Sequence, residues 1–186
     1  MAHSHTTPMP GEKAPALQFD RIEGEKFDLR DSHPENFTVI AFYRGVHCPI
    51  CKKQLEALNG KIGDFREKGI DIVAVSMDSV DRAERQKSEW DIPNLNIGYG
   101  LPIESARDYG LFISAKAKDA EPERFSEPGI AVIKPDGTLY ALYIQNTPFG
   151  RISFDELMSG LEFITKNDYP IRGTSKDDDF TKVAAE

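Results

Sequence analysis

The spacing of apolar positions changes several times along the chain, and each change marks an element. Residues 37–43 are almost wholly apolar, which predicts a central strand buried on both faces. From Pro49, a residue suited to the first helical position, Leu55, Leu58, Ile62 and Phe65 recur at steps of three and four. Lys52, Lys53, Glu56 and Lys61 fall on the other side, so one amphipathic helix ending near Gly69 is expected. Residues 70–76 are a second apolar run, and a strand, helix and parallel strand in that order require a right-handed crossover. Asp78 or Ser79 caps a helix reaching Trp90, a core anchor, and residues 94–98 make a short strand. Residues 104–109 read as a short helix closed by Gly110. Residues 130–133 and 138–144 flank Lys134, Pro135, Asp136 and Gly137, a hairpin in which proline presets the turn and glycine accepts positive φ. Ser153 and Glu156 form a capping box before a last helix with Phe154, Leu157, Leu161 and Ile164 on its apolar stripe. Ahead of all this, residues 17–21 and 26–29 flank Glu23, Gly24 and Glu25 as a small hairpin.

With 186 residues and 39% hydrophobic content the chain fits one globular domain, and no apolar run approaches membrane-spanning length. The ends differ from the middle. Residues 1–10 form a polar, proline-bearing arm, the folded body covers 11–171, and residues 172–186 form a polar acidic tail. Twenty-three Lys and Arg against 31 Asp and Glu leave a formal charge of -8, which argues against a nucleic-acid surface or an anionic membrane as partner. A small molecule or another protein fits better.

The chemistry lies where the first long strand ends. Cys48 and Cys51 are the only two cysteines and bracket Pro49 and Ile50 at a helix start. Two thiols three positions apart on a first turn are within disulfide reach. The helix N-terminus, with its free N–H groups and partial positive charge, favours the Cys48 thiolate, the reactive form of a thiol. Cys48 is then the nucleophile and Cys51 the resolving partner. Three other readings compete. A structural disulfide suits an oxidising compartment, whereas the opening residues carry no apolar signal stretch and point to the cytoplasm. A zinc site needs two more ligands, and His47 and His33 lie nearby but without ligand spacing. Two ordinary buried cysteines rarely bracket a proline after a strand.

The order of elements and the Cys-x-x-Cys at a strand-to-helix junction resemble the thioredoxin-like fold: a three-layer α/β/α arrangement with a central mixed sheet, here with an N-terminal hairpin. The residues 11–17, 65–69, 73–78 and 106–111, together with Phe42, Tyr43, Arg44 and Gly45 leading into Cys48, resemble the peroxiredoxin-like branch of the AhpC/TSA superfamily over residues 11 to about 167. The resemblance implies an antioxidant thiol oxidoreductase without metal or organic cofactor, cycling Cys48 and Cys51 between dithiol and disulfide to reduce peroxides. Thiol-disulfide exchange on protein disulfides and a non-catalytic redox sensor are the alternatives. The electron donor would be thioredoxin, glutaredoxin or glutathione, and a homodimer is compatible with the sequence.

The resemblance also implies site residues. Peroxiredoxins place a Thr or Ser three residues before the nucleophile, a Pro seven before it and an Arg near the late hairpin; those places hold Gly45, Ala41 and the stretch 127–129. Arg44 is therefore the candidate replacement cation. Pro128 occupies the place of the cis-proline that thioredoxin-fold proteins set opposite the cysteine pair, where it exposes a backbone edge for a substrate peptide. His47, protonated, would stabilise the thiolate. Tyr43 and Pro49 line the site, and Glu127 stands in for a buried acid as proton acceptor.

Overall fold

The computed structural model describes residues 7–176. A seven-stranded mixed sheet runs in the order β2-β1-β5-β4-β3-β8-β9. Its strands are β1 (Gln18–Arg21), β2 (Phe27–Asp28), β3 (Phe37–Phe42), β4 (Ile70–Val75), β5 (Ile97–Tyr99), β8 (Gly129–Ile133) and β9 (Leu139–Ile144). β3, β4 and β5 are mutually parallel, and β1, β8 and β9 join antiparallel. All six residues of β3 are buried, as its unbroken apolar run demands at the centre of a sheet covered on both faces.

Alternation along β3 divides the core. Phe37, Val39 and Ala41 join a cluster with Leu55 and Leu58 of α1 (Pro49–Asn59), Phe65 of α2 (Ile62–Glu67), and Phe154, Leu157 and Leu161 of α5 (Phe154–Asn167). Ile40 and Phe42 face a second cluster containing Leu17, Phe19, Tyr109 and Ala106 of α4 (Ile103–Asp108). Trp90, just past α3 (Val80–Glu89), is buried beside Tyr43 as a core anchor.

Two local expectations change. The helix expected from Pro49 to Gly69 is two, α1 and α2. It breaks at Gly60, where Lys61 N donates to Leu58 O, because Gly60 and Gly63 lower helix propensity while Ile62 and Phe65 still face the core. Between α4 and β8 the chain also forms a separate hairpin of β6 (Ile113–Ala115) with β7 (Arg124–Ser126). Three-residue strands are too short to show a period of two.

The described parts of both ends pack on the body. Gly11 N donates to Leu139 O, Leu139 N donates to Glu12 O, and Lys176 pairs with Glu12. Residues 1–6 and 177–186, most of the expected acidic tail among them, lie outside the described residues. Among the described residues, no helix is long and apolar enough to cross a membrane.

Candidate active site

After β3 the chain turns at Gly45, whose φ of 123° suits glycine. Cys48 N donates to Gly45 O at 3.1 Å, and Cys48 becomes the N-cap of α1 with Pro49 in the first turn. Its Sγ accepts the Cys51 N–H at 3.3 Å. Both cysteines are free thiols and both are buried, at 1% and 0% exposure.

Their titrations diverge. The Cys48 thiol is lowered to about 6, first by the hydrogen bond from the Cys51 thiol, then by the Cys51 backbone N–H, the charge of Arg151 and a hydrogen bond from Arg44, all against the opposing effect of burial. The helix terminus anticipated from the sequence thus contributes, but the neighbouring thiol contributes more. Burial pushes Cys51 well above its ordinary value, and donation to Cys48 raises it further. A reactive thiolate beside a protonated thiol is the arrangement that disulfide and sulfenic acid chemistry requires.

Arg151, in the loop between β9 and α5, was not among the sequence candidates. Its Nη2 lies 3.2 Å from Cys51 Sγ and 3.9 Å from Cys48 Sγ. Its Nε donates to Pro148 O at 2.8 Å and its Nη1 to Gln54 Oε1 at 2.5 Å. One sequence signal points to it: an arginine two residues before the Ser153 cap sits at the positive end of α5, where a cation is disfavoured unless something else holds it.

Arg44 is held among carboxylates. It pairs at 3.3 Å with both Glu121 and Glu127 and lies 4.6 Å over the Phe125 ring. Glu121 also accepts the N–H groups of Ala117 and Lys118, which hold its carboxyl below the usual range. Arg44 therefore pins the β6–β7 hairpin to the loop that carries the nucleophile. Glu127, proposed from sequence as a proton acceptor, is buried with Oε1 accepting from Ser114 at 2.6 Å and Oε2 facing Arg44. Its carboxylate serves that ion pair.

Three further expectations are corrected. No described peptide bond is cis, so Pro128 is joined by a trans peptide. Its carbonyl accepts Gln145 N–H at 3.0 Å, so continuation of β9 past Ile144 occupies the edge expected to dock a peptide. His47 is neutral rather than cationic: burial lowers it to about 4, helped by the charges of Arg44 and Arg82 against Asp78. Arg82 Nη2 stands 3.2 Å from His47 Nδ1, and the ring packs on Phe125. Tyr43 turns inward and donates to Gln86 Oε1 at 2.8 Å, which fixes it as core. Pro49 is exposed beside Cys48.

A mixed sheet with helices on both faces and a dithiol at the N-terminus of the helix after its central strand defines the thioredoxin-like class. Within that class the chain belongs to the AhpC/TSA family, whose pattern matches residues 10–142. Among curated proteins it is 29% identical over 100 residues to the thiol-disulfide oxidoreductase ResA of Bacillus thuringiensis, covering 54% of this chain and 52% of that one. It is 23% identical over 155 residues to the 1-Cys peroxiredoxin PER1 of Arabidopsis thaliana, covering 82% and 69%. The ResA match spans about half the length of that relative. Among solved structures, Mycobacterium tuberculosis AhpC superposes with a TM-score of 0.72 at 14% identity, covering 91% of this chain and 100% of that one. A peroxiredoxin-like protein of Aquifex aeolicus gives 0.69 at 16%, covering 86% and 89%. These superpositions establish the fold.

Proposed function

We propose that the protein is a peroxiredoxin-like thiol oxidoreductase whose Cys48 thiolate reduces a hydroperoxide. Cys48 Sγ forms a bond to one peroxide oxygen, the O–O bond breaks, and the departing oxygen takes a proton to leave as water or an alcohol. Cys51 then condenses with the Cys48 sulfenic acid, forming the disulfide and releasing water. A thiol donor of the thioredoxin, glutaredoxin or glutathione kind returns the pair to the dithiol, which sets the cycle in a reducing compartment such as the cytoplasm.

The observation that carries this reading is a low-pKa thiolate that is only 1% exposed. A hydroperoxide needs only such a thiolate with hydrogen-bond donors near it, whereas an extended disulfide-bearing peptide needs a docking edge, and the edge at Pro128 is taken by Gln145. Arg151 supplies a guanidinium near the sulfurs, although it comes from outside the stretch where the family resemblance leads one to look. Exchange with protein disulfides is the second reading, favoured by the similarity to ResA.

Trapping separates the two, because only peroxide attack yields a sulfenic acid and only disulfide attack yields a mixed disulfide. Cys51→Ser is exposed in parallel to hydrogen peroxide, an organic hydroperoxide and a protein disulfide, and the adducts are read by mass. Rapid sulfenic acid formation supports the proposal. Capture of the protein disulfide with no sulfenic acid in excess peroxide replaces it with the exchange reading.

A further inference from the structure

Arg151 stands closer to the resolving sulfur than to the nucleophile, at 3.2 Å from Cys51 against 3.9 Å from Cys48. It is built into that position. Gln54 lies three residues after Cys51 and so on the same face of α1; its Oε1 accepts from Arg151 Nη1, and its Nε2 reaches Ile152 O at 3.5 Å. Pro148 O takes the Nε–H. Side chain and backbone of the loop are thus both tied to the helix that carries the cysteines.

Attack on a peroxide develops charge on oxygen near Cys48, whereas reduction of the disulfide develops it on Cys51. Cys51 Sγ is fully buried, so water cannot solvate a thiolate there, and thiols of high pKa leave slowly. A guanidinium keeps its charge throughout and donates directly to the departing sulfur.

We propose that Arg151 is a catalytic residue of the reductive half-cycle, stabilising the Cys51 thiolate as it leaves the Cys48–Cys51 disulfide, and that Gln54 is the positioning residue that aims it. A dithiol donor, as thiolate, forms a bond to Cys48 Sγ; the Cys48–Cys51 bond breaks, and its electron pair departs on Cys51 Sγ beside Arg151. Cys51 then takes the proton of the donor's second thiol, which leaves that thiol as the thiolate of the next step. The donor's second thiolate attacks the donor sulfur of the mixed disulfide, releasing oxidised donor and the Cys48 thiolate, so two electrons pass from donor to protein. The inference rests on the proposed function only in requiring that the pair cycles through a disulfide, whichever oxidant makes it.

The test oxidises the protein with diamide, which needs no peroxide chemistry, and follows reduction by excess dithiothreitol with acid quench, alkylation and mass. Arg151→Met should slow reduction by about tenfold or more. Arg151→Lys should recover part of the rate, and Gln54→Leu should fall between wild type and Arg151→Met. Peroxide oxidation of reduced Arg151→Met should fall by a smaller factor. Reduction of folded Arg151→Met within twofold of wild type overturns the proposal; if that variant does not fold, an unchanged rate in Gln54→Leu does the same. Failure of diamide to form the Cys48–Cys51 disulfide in wild type overturns this proposal and the cycle together. A wild type that forms the disulfide with diamide but resists peroxide, with Arg151→Met still slow to be reduced, refutes the peroxidase reading and supports this one.

Discussion

Asp78 fills the space in which a side chain at Gly45 would stand: a Cβ there would lie 2.7 Å from Asp78 Cγ and 2.8 Å from Oδ1. The carboxylate is buried, accepts the Val46 N–H at 2.7 Å and pairs with Arg82 Nε at 2.6 Å. The position where peroxiredoxins carry a hydroxyl is therefore closed in this chain by an acid from the segment after β4. That acid orders the loop leading to Cys48.

Installing the hydroxyl should therefore harm the protein. Gly45→Thr meets both the Asp78 carboxylate and a positive φ, and backbone strain alone costs about 1–3 kcal/mol. A lowered urea midpoint together with slower Cys48 alkylation is the expected result. Asp78→Ala removes the carboxylate partner of the part-exposed Arg82 and leaves the buried Val46 N–H unpaired, and an unsatisfied buried donor costs about 1–3 kcal/mol; Asp78→Asn, which keeps an acceptor for Val46, should cost less.

The cysteine titrations set a pH signature. Alkylation of Cys48 should rise through a midpoint of about 6 and level off by neutral pH, while Cys51 stays unreactive. Because the largest cause is the Cys51 thiol, Cys51→Ser should hold the midpoint low with its hydroxyl, and Cys51→Ala should move it up. Stability follows with a defined sign. The folded value of Cys48 lies below the ordinary 9.0, so the unfolded chain binds more protons between about 6 and 9.0. That contribution is complete above 9.0 and is lost as pH falls through about 6. Melting of reduced wild type against Cys48→Ser from pH 5.5 to 8.5 measures it. The raised Cys51 acts with the opposite sign and only at pH above 9.0.

Arg44 should matter to stability as much as to chemistry. Arg44→Met leaves Glu127 buried without its cation, a loss of about 3–5 kcal/mol, and releases Glu121 from the same guanidinium. Limited proteolysis should then cut first within residues 113–126. Arg44→Met, Glu121→Gln, Glu127→Gln should recover part of the midpoint, since the stranded charges are gone. The pH midpoint of Cys48 alkylation should remain raised in both, because the hydrogen bond from Arg44 to that thiol is absent.

His47 should stay neutral across the physiological range. Its ring-proton shifts are expected to be flat from pH 8 to 5.5 and to move only near about 4. His47→Gln should leave the Cys48 alkylation midpoint in place. A midpoint that rises in this variant would restore the protonated imidazole expected from its neighbour position.

Local chemistry made much of the protein legible in the sequence. The cap at Cys48, the first-turn Pro49, the box of Ser153 with Glu156 and the buried run of β3 all depend on residues within a turn or on the period of one strand. Such patterns are written in consecutive positions. Two short features escaped: a helix interrupted at Gly60, and strands of three residues in β6 and β7. The partners of the site were decided only by tertiary structure. Arg151 reaches Cys48 across 103 positions, and Glu121 reaches Arg44 across 77. Asp78 reaches the Val46 N–H across 32, and Gln145 takes the carbonyl of Pro128. Spacing along the chain carries no signal for these contacts, because the order of strands in the sheet brings the loops together. Charge and hydrogen bonding act across the few ångströms that remain.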